Sequence, residues 1–349
     1  MSMYLRSLAS AFPADAFTQA ECWDCLESHG KDVGLKDRSM TLLKKVLLGD
    51  SGIDRRHFAL GDPNRVFGLN AQGLNEAFEK HAPDLGAQAL RKALDEASLR
   101  AEDLDALFVC TCTGYLCPGV SSHVAERVGL RSDAYLIDSV GNGCGAAIPL
   151  LRAAHGFLNN TVKELVVATV CVEVCSTAFY IDDDPGVLIS LCLFGDGASA
   201  SIWGNKESDD SWAIGAFRTC HWPKEREKIR FVNRDGKLRN QLHRSVPGLA
   251  AQAVAGLYAG REGEPDQVLS HTGGRDVLMA LMEALPGRDL QESARVLRKR
   301  GNVSSPSVMM ALEERLSQTV DEERLWMTSF GAGFSAHACE LVRGHDERA

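Results

Sequence analysis

The chain has 349 residues, and its 38 Lys and Arg residues against 47 Asp and Glu residues give a formal net charge of −9. This acidic balance argues against nucleic acid as a principal partner. A hydrophobic content of 45% with 24% charged residues is typical of an ordinary globular protein, and it excludes disordered and low-complexity classes.

No run of about 18 uncharged apolar residues occurs, so we expect no membrane-spanning segment. The N-terminus has no apolar stretch of the signal-peptide type. The 11 cysteines are spread thinly, and several, such as Cys171 and Cys192, lie in apolar runs where a free thiol behaves as a small hydrophobic group. These features predict a cytoplasmic protein with reduced cysteines.

Internal repeats are the main clue to architecture, because three pairs of similar segments recur in the same order. The first pair is Thr113-Gly114 and Thr272-Gly273, each after a predicted helix and strand. The second pair is Gly141–Cys144 and Gly301–Ser304, each before an apolar helix. The third pair is Phe194–Ala200 and Phe330–Ala336. They predict two α/β halves, an N-terminal half over residues 1–205 and a C-terminal half over residues 206–349. The polar run from Asn205 to Asp210 is typical of a linker.

Cys144 is the first candidate for chemistry. It follows a predicted strand and the turn Gly141-Asn-Gly143, and it stands where an apolar helix begins, at Gly145. The unpaired amides and the dipole at a helix start lower the pKa of a thiol and favour the nucleophilic thiolate. A small residue packed between strand and helix is the alternative explanation.

Duplication adds two partners to this cysteine. The equivalent strand of the second half places His271 at its carboxyl end, and the equivalent turn places Asn302 at a helix start. If the halves pack about a pseudo-dyad, the three side chains converge. A Cys–His pair makes a thiolate–imidazolium nucleophile, and an Asn amide donates hydrogen bonds to a developing oxyanion or enolate.

These motifs resemble the type III polyketide synthases, the chalcone synthase-like branch of the thiolase superfamily, over nearly the whole chain. The matching segments are Gly-Asn-Gly-Cys144-Gly-Ala-Ala, His271-Thr-Gly-Gly-Arg275, Gly-Asn302-Val-Ser-Ser, Leu193-Phe194-Gly-Asp-Gly and Ser329-Phe-Gly-Ala-Gly333. Gly52–His57 and Glu173–Ala178 look most like bacterial members such as dihydroxyphenylacetyl-CoA synthase. The resemblance implies a duplicated thiolase-like fold with α/β/α/β/α layers, and a homodimer.

The resemblance also implies roles for individual residues. Cys144 would carry an acyl starter as a thioester, while His271 and Asn302 stabilise the enolate formed when malonyl-CoA loses CO₂. Phe194 corresponds to a gatekeeper, Cys117 to a residue that crosses the dimer interface, and Gly331 and Gly333 to a loop beside the site. Further cavity residues implied by the resemblance are Cys112, Thr113, Cys175, Ala178, Ser304 and Asn240. The small side chains among them suggest room for a bulky or long starter.

The sequence departs from the family pattern at three places. Ala332 stands where Pro is usual, Asn240 replaces a second aromatic gatekeeper, and the basic spacing for the CoA phosphates is not kept between Leu43 and Asp50. The candidates that remain for CoA are Lys44, Lys45, Arg55, Arg56 and Gly274. The basic segment from Lys224 to Arg244 is a further candidate, for CoA or for an acyl carrier protein.

Several alternatives stay open on the sequence alone. A β-ketoacyl-ACP synthase III would share the fold and triad but perform one condensation, and its usual His-Gln-Ala-Asn is absent at His271. An HMG-CoA synthase-like reaction would need a Glu beside the cysteine, which no motif supplies. Gly141-x-Gly143-x-x-Ala146 formally fits a dinucleotide fingerprint, but an acidic residue at the expected spacing is missing. A non-enzymatic scaffold is the last alternative.

We expect neither a metal nor a bound cofactor, since the substrates would be CoA thioesters. Cys22-x-x-Cys25 has no second cysteine pair at a zinc-site spacing. The acidic run Asp182-Asp-Asp184 precedes Pro185 and is typical of a loop.

Overall fold

The structure is a computed structural model that describes residues 3–159, 163–207, 211–319 and 321–344. Its strands are β1 (Met3–Ala11), β2 (Ala16–Thr18), β3 (Arg55–His57), β4 (Ala106–Cys110), β5 (Tyr135–Ser139), β6 (Val166–Glu173), β7 (Gly197–Gly204), β8 (Trp212–His221), β9 (Ile229–Arg234), β10 (Lys237–Leu242), β11 (Gln267–Ser270), β12 (Arg324–Gly331) and β13 (Ser335–Arg343). Its helices are α1 (Gln19–His29), α2 (Asp37–Leu47), α3 (Ala71–Glu96), α4 (Val120–Val128), α5 (Ala147–Leu158), α6 (Pro185–Leu193), α7 (Val246–Ala259), α8 (Arg275–Ala284), α9 (Gln291–Arg300) and α10 (Ser307–Leu316). No helix within these ranges is both long and apolar enough to cross a membrane.

The main sheet shows the duplication directly, in the strand order β11-β12-β13-β8-β1-β7-β6-β4-β5. The series β4-β6-β7-β1 and the series β11-β12-β13-β8 have the same pattern, one parallel pair followed by antiparallel pairs. The two series join where β1 pairs with β8, from Met3 to Leu5 against Trp212 to Ile214. The exact division at residue 205 stays a prediction, and residues 208–210 of its linker lie outside the described residues.

Alternating side chains of the strands fill different helix layers. In β4, Phe108 joins the core of α5 and α10, whereas Leu107 joins the core of α3 and α4. In β12, Met327 joins that same central core, whereas Trp326 packs with α7 and α8. The central helices thus lie between the two half-sheets and the others cover the outer faces, which gives the predicted α/β/α/β/α layers.

The turns before the two central helices carry the candidate site. Gly143 (φ +55°) and Gly301 (φ +72°) adopt the left-handed backbone conformation that glycine tolerates. Cys144 lies in a short 3-10 turn, Gly143–Gly145, and the α-helix begins only at Ala147. Cys144 therefore precedes the helix by one tight turn, closed by the bond from the Ala146 N–H to the Gly143 carbonyl (3.1 Å), instead of opening it at Gly145.

The acidic run before α6 is a connection between elements, as its loop character predicted. Asp184 accepts hydrogen bonds from the first amides of α6. Asp183 accepts from the Ser39 hydroxyl of α2 at 2.6 Å. Asp182 pairs with the largely buried Arg239 of β10 at 2.8 Å. The run thereby holds α6, which forms part of the cavity wall, against two neighbouring elements.

Candidate active site

A cavity of about 540 Å³ lies where the strand ends and helix starts of the two halves meet, and Cys144, His271 and Asn302 all line it. Cys144 comes from the turn before α5, His271 directly follows β11, and Asn302 lies in the turn before α10. The structure brings together the three side chains that the duplication predicted, in a space of the size that holds small organic ligands.

Cys144 is buried, and its thiol accepts a hydrogen bond of 3.2 Å from the Ser304 hydroxyl. Burial raises the pKa of Cys144 to about 12, while the bond from Ser304 acts to lower it. The helix start predicted a thiolate, and the structure reverses this expectation because removing the sulfur from water disfavours its charged form more than the nearby donors favour it. The unliganded site holds a neutral thiol with a donor beside it.

His271 is fully buried, and its ring packs edge-on against Phe330 with the ring centres 5.1 Å apart. Burial lowers the pKa of His271 to about 3, so the imidazole is neutral at pH 7. Its Nδ1 atom has no hydrogen-bond partner among the described residues. A neutral imidazole on the cavity wall can accept a proton from a thiol, and as imidazolium it can donate to a carbonyl oxygen.

The amide of Asn302 is held at both ends. Its Nδ2 donates to the Gly273 carbonyl at 2.6 Å, and its Oδ1 accepts from the Ser304 N–H at 2.8 Å. Because an amide NH₂ has two donors, one stays available to a ligand in the cavity. The orientation of that donor is therefore set before any substrate binds, which is the property an enolate-stabilising group requires.

Glu173 is the functional residue that the sequence analysis missed. It ends β6, is fully buried, and accepts hydrogen bonds from the Cys112 N–H (2.9 Å), the Thr113 hydroxyl (2.9 Å) and the Ser305 hydroxyl (2.6 Å). It also lies 3.4 Å from the Ser304 hydroxyl. Burial raises the pKa of Glu173, against the lowering effect of these donors.

A Glu does therefore stand near the cysteine, with the Ser304 hydroxyl between them, although no sequence motif indicated it. A signal for it was present in the sequence. Glu173 is the acidic end of an apolar strand, β6, whose parallel neighbour β4 runs into Thr111–Thr113. The carboxyl ends of neighbouring parallel strands meet at one edge, so these groups had to come together.

The other predicted cavity residues divide between two adjoining spaces. Phe194, Cys112 and Asn240 line the main cavity. A smaller space shares the walls formed by Phe194 and Asn240, and it is lined by Thr113, Cys175, Ala178 and Ser304. The Asn240 amide donates to the Ser190 hydroxyl at 2.8 Å, so this replacement of an aromatic gatekeeper is tied to α6.

The predicted loop at Gly331 and Gly333 forms one wall of the site. A Cβ atom on Gly331 would lie 2.9 Å from the Cys144 nitrogen and 2.6 Å from the Gly145 nitrogen, distances that Cβ contacts do not reach. Gly333 has φ +134°, which side-chain-bearing residues rarely adopt. Ala332 lines the cavity between them. Glycine at 331 therefore allows the loop to lie directly on the nucleophile turn.

Of the CoA candidates, Lys45 and Gly274 line the main cavity. Lys44 and Arg55 do not line it; the Lys44 ammonium lies 5.4 Å from the centre of the Trp23 ring. Arg56 is also not a CoA ligand, since it is 1% exposed and donates to main-chain carbonyls instead. The outer end of the cavity has basic side chains that the sequence analysis did not single out individually: Arg230, His243, Arg244 and Arg275.

Two further predicted features lie away from this cavity. Cys117 is exposed and does not line the cavity of its own chain. Cys22 and Cys25 line a separate apolar cleft, where Cys25 contacts Asn64 at 3.1 Å. Across the described residues, no group of three or more His, Cys, Asp or Glu side chains has the geometry of a metal site.

Comparison with known proteins identifies the family. The model of a family described as FAE1/Type III polyketide synthase-like protein matches residues 3–219. The chain belongs to this family. The resemblance seen in the sequence is thereby confirmed, and the protein is an acyl-transferring enzyme of the type III polyketide synthase kind.

Individual relatives agree with this assignment. The chain is 28% identical to the 3,5-dihydroxyphenylacetyl-CoA synthase of Streptomyces toyocaensis over 90% of this chain and 82% of that protein. The crystal structure of 1,3,6,8-tetrahydroxynaphthalene synthase from Streptomyces coelicolor A3(2) is 22% identical, with a TM-score of 0.87, and covers 98% of this chain and 99% of that one. CsyB complexed with CoA is 19% identical, with a TM-score of 0.87 and coverages of 98% and 100%.

These structures confirm the thiolase-like layered fold. A family of polyketide synthases, with relatives named for aromatic products, supports the polyketide synthase interpretation and not the single-condensation alternative.

The contact between Ser304 and Cys144 predicts a change in thiol reactivity. A Ser304→Ala variant loses the hydroxyl that donates to the Cys144 sulfur. A hydrogen bond to a charged group such as the thiolate contributes about 1.5–3 kcal/mol. Alkylation of Cys144 by iodoacetamide at pH 8 should therefore slow about tenfold or more in this variant. Ser305→Ala is the matched control, because that hydroxyl bonds Glu173 and Cys110 instead of Cys144. Equal rates in both variants would show that the Ser304 bond does not act on the thiolate.

Proposed function

We propose that the protein extends an acyl starter, held as a thioester on Cys144, by repeated decarboxylative condensation with malonyl-CoA, and that it then cyclises the chain. The observation that carries this proposal is the single cavity lined by Cys144, His271 and Asn302 in a chain of the type III polyketide synthase family. Cyclisation to a pyrone, a resorcinol or a related aromatic is the expected outcome.

In the loading step, the Cys144 sulfur attacks the thioester carbonyl of acyl-CoA. His271, neutral in the free site, takes the thiol proton and returns it to the sulfur of the departing CoA. The bond between the carbonyl carbon and the CoA sulfur breaks as the bond to Cys144 forms, so the acyl group moves without net oxidation or reduction. The unpartnered imidazole nitrogen and the buried thiol on one cavity wall support this role.

In the extension step, the malonyl thioester carbonyl lies against the free amide hydrogen of Asn302 and the imidazole of His271. Loss of CO₂ leaves its electron pair on the α-carbon, and these donors stabilise the resulting enolate oxygen. The carbanion attacks the acyl-Cys144 carbonyl, the sulfur leaves, and the chain is two carbons longer. Phe194 and the buried walls keep water from the carbanion and the thioester. Since side-chain donors hold the enolate, the reaction requires no metal or redox cofactor.

A radiolabelled assay separates these steps. Wild-type protein with ¹⁴C-malonyl-CoA and a panel of acyl-CoA starters should give multiply extended products by mass spectrometry. Cys144→Ala should abolish condensation but keep slow release of labelled CO₂, because the enolate-stabilising pair remains. His271→Ala and Asn302→Ala should lose about 100-fold or more in both activities.

A single β-ketoacyl product would contradict the iterative proposal. No turnover of any starter, with or without an acyl carrier protein, would contradict the catalytic proposal altogether.

The starter is the least constrained part of the proposal. The room for an acyl group on Cys144 is in the main cavity of about 540 Å³. The smaller space beside it has small side chains at Cys175 and Ala178, but it measures about 20 Å³ and is also lined by Phe179, Tyr180 and Phe231. The names of two relatives, 3,5-dihydroxyphenylacetyl-CoA synthase and 1,3,6,8-tetrahydroxynaphthalene synthase, support a product with a fused or substituted aromatic ring.

We place the phosphates of CoA at the outer end of the cavity, among Lys45, Arg230, Arg244 and Arg275. Asp50 and Asp276 also lie at this rim and both contact Arg275, and Glu227 pairs with Arg230 at 2.7 Å. Lys45 and Arg244 are the rim cations with no ion pair within the described residues. The complex of CsyB with CoA supports a CoA thioester as donor. An acyl carrier protein, with its phosphopantetheine arm, is the other donor that a basic rim suits.

Removal of a rim charge should affect only substrates that carry phosphates. Arg244→Ala should raise the KM for malonyl-CoA about fivefold, which corresponds to about 1 kcal/mol for an exposed charge pair. The KM for the malonyl thioester of N-acetylcysteamine, which has no phosphate, should not change. Lys44→Ala is the control, because Lys44 is exposed on the same helix as Lys45 but lies against Trp23. Equal effects on both thioesters would overturn the assignment.

We further propose a homodimer through the free edge of β5. This strand ends the sheet order, and edge strands in soluble proteins are normally covered or charged. Tyr115 (76% exposed), Tyr135 (48%) and Val140 (53%) are instead large apolar side chains on or beside it. A second copy that pairs along β5 would cover them and bring the exposed Cys117 to the interface.

The unpaired state of all 11 cysteines supports a reducing, cytoplasmic location.

The dimer is tested by a charge placed on this edge. In light scattering after gel filtration, the wild type should have twice the chain mass of 37.9 kDa. Val140→Glu should shift it to the monomer, because burying an unpaired carboxylate in an apolar interface costs several kcal/mol. Met279→Glu is the control, at 49% exposure on α8 away from this edge. A monomeric wild type would contradict the proposal.

A further inference from the structure

Arg56 is a buried cation whose role the mechanism leaves open. It is 1% exposed on β3, next to the exposed Arg55, and no ion pair joins it to a carboxylate within the described residues. Its hydrogen bonds go to neutral oxygens instead: the Gln19 amide (2.9 Å), the Leu191 carbonyl (2.7 Å) and the Phe194 carbonyl (2.9 Å). The buried Asp196 is near enough for the Arg56 charge to act to lower its pKa, which burial raises, but no ion pair joins the two side chains within the described residues. A guanidinium is rarely buried without a directly paired carboxylate, so its placement calls for a specific function.

The carbonyls that Arg56 binds stand at the carboxyl end of α6. The last carbonyls of a helix lack intrahelical partners and carry the negative end of the helix dipole, so a cation there stabilises the helix end. Gln19 completes the arrangement, because its Nε2 donates to the Cys192 carbonyl at 2.9 Å while its Oε1 accepts from Arg56. Arg56 and Gln19 together bind the carbonyls of Leu191, Cys192 and Phe194, and so hold the end of α6 and the gatekeeper Phe194 that follows it.

The same stretch holds Asn302. The Asn302 N–H donates to the Leu193 carbonyl at 2.8 Å, and the Gly195 N–H donates to the Asn302 carbonyl at 3.0 Å. The main chain on both sides of Phe194 is thus bonded to the main chain of Asn302. The alkyl stem of Arg56 also packs on the residue before it, since a Cβ on Gly301 would lie 2.8 Å from the Arg56 Cγ. Arg56 therefore contacts the supports of two site residues at once.

We propose that Arg56 is a positioning residue that fixes Phe194 and Asn302 relative to each other, so that decarboxylation of the extender stays coupled to condensation. The inference rests on the proposed function, since coupling has meaning only for an iterative decarboxylating synthase. With Arg56 in place, the amide of Asn302 and the ring of Phe194 face the same enolate. Without it, the carboxyl end of α6 loses its cation and the two main-chain bonds to Asn302 are held less rigidly. More enolates are then protonated before they reach the acyl thioester.

The test compares Arg56→Met with Arg239→Met. Arg239 is the matched control, because it is a largely buried arginine that binds Asp182 and Asp184 at the opposite, amino end of α6. Arg56→Met should lower kcat for condensation about tenfold or more with the KM for malonyl-CoA nearly unchanged. The ratio of released CO₂ to condensed product should rise several-fold, and truncated products should accumulate. Arg239→Met should lower the melting temperature without changing that ratio.

A milder variant and a readout without turnover keep the inference testable. Gln19→Leu removes only the amide that links Arg56 to the Cys192 carbonyl, so it should raise the ratio of released CO₂ to condensed product less than Arg56→Met does. Arg56→Lys keeps the charge with fewer hydrogen-bond donors, so its ratio should lie between those of the wild type and Arg56→Met. Hydrogen exchange should quicken at the amides of Gly195 and Asn302 in Arg56→Met but not in Arg239→Met. If the wild-type protein had no polyketide activity, the proposed function would be wrong. Faster exchange at Gly195 and Asn302 in Arg56→Met would still show that Arg56 holds these two segments. An unchanged ratio together with unchanged exchange would overturn the role of Arg56.

Discussion

The site depends on the contact between two turns that are equivalent in the duplicated chain, Gly143–Gly145 and Gly301–Ser305. The Ser304 hydroxyl donates to the Cys144 sulfur at 3.2 Å, which places the second half of the chain directly on the nucleophile of the first. Both turns are held by the central helix layer, whose apolar core contacts strands of both half-sheets. Any shift of one half against the other would separate the thiol from the histidine and the amide, so the site exists only while the two halves are packed together.

Polar groups in this interior are satisfied by one another, and the packing therefore has chemical consequences. Glu173, buried without a basic partner in the described structure, is surrounded by N–H and hydroxyl donors from the ends of β4 and α10. An unpaired buried carboxylate would be very unfavourable, and this cluster of donors offsets part of that penalty, although burial still raises the pKa of Glu173. The same hydroxyls lie beside Cys144, so the residues that stabilise a buried acid also create the polar environment of the thiol.

The sequence predicted the duplication and the convergence of Cys144, His271 and Asn302, because repeated turn motifs and strand ends report topology. The layers were predicted only through the resemblance to a known family. It did not predict the charge state of Cys144. The helix-start argument considers the favourable dipole, whereas the unfavourable desolvation depends on walls that come from distant segments such as Gly331 and Ser304. Arg56 shows the same limit: its sequence neighbours suggest a phosphate ligand, but only the fold shows that its guanidinium faces the end of α6.

The departures from the family pattern lie along the cavity wall, from the rim near Asp50 to Ala332 beside the Cys144 turn, and each has a local contact. Asp50 pairs with Arg275, Asn240 bonds Ser190, and Ala332 packs within 3.1 Å of a Cβ position on Gly143. Cys144, His271 and Asn302, by contrast, keep the family pattern. The proposed condensation depends on a few angstrom-scale contacts around Cys144. The starter and the product depend on the shape of the walls, which can vary as long as each new side chain finds a partner nearby. The chain thus keeps the three residues of the proposed reaction and differs from the family pattern in the walls around them.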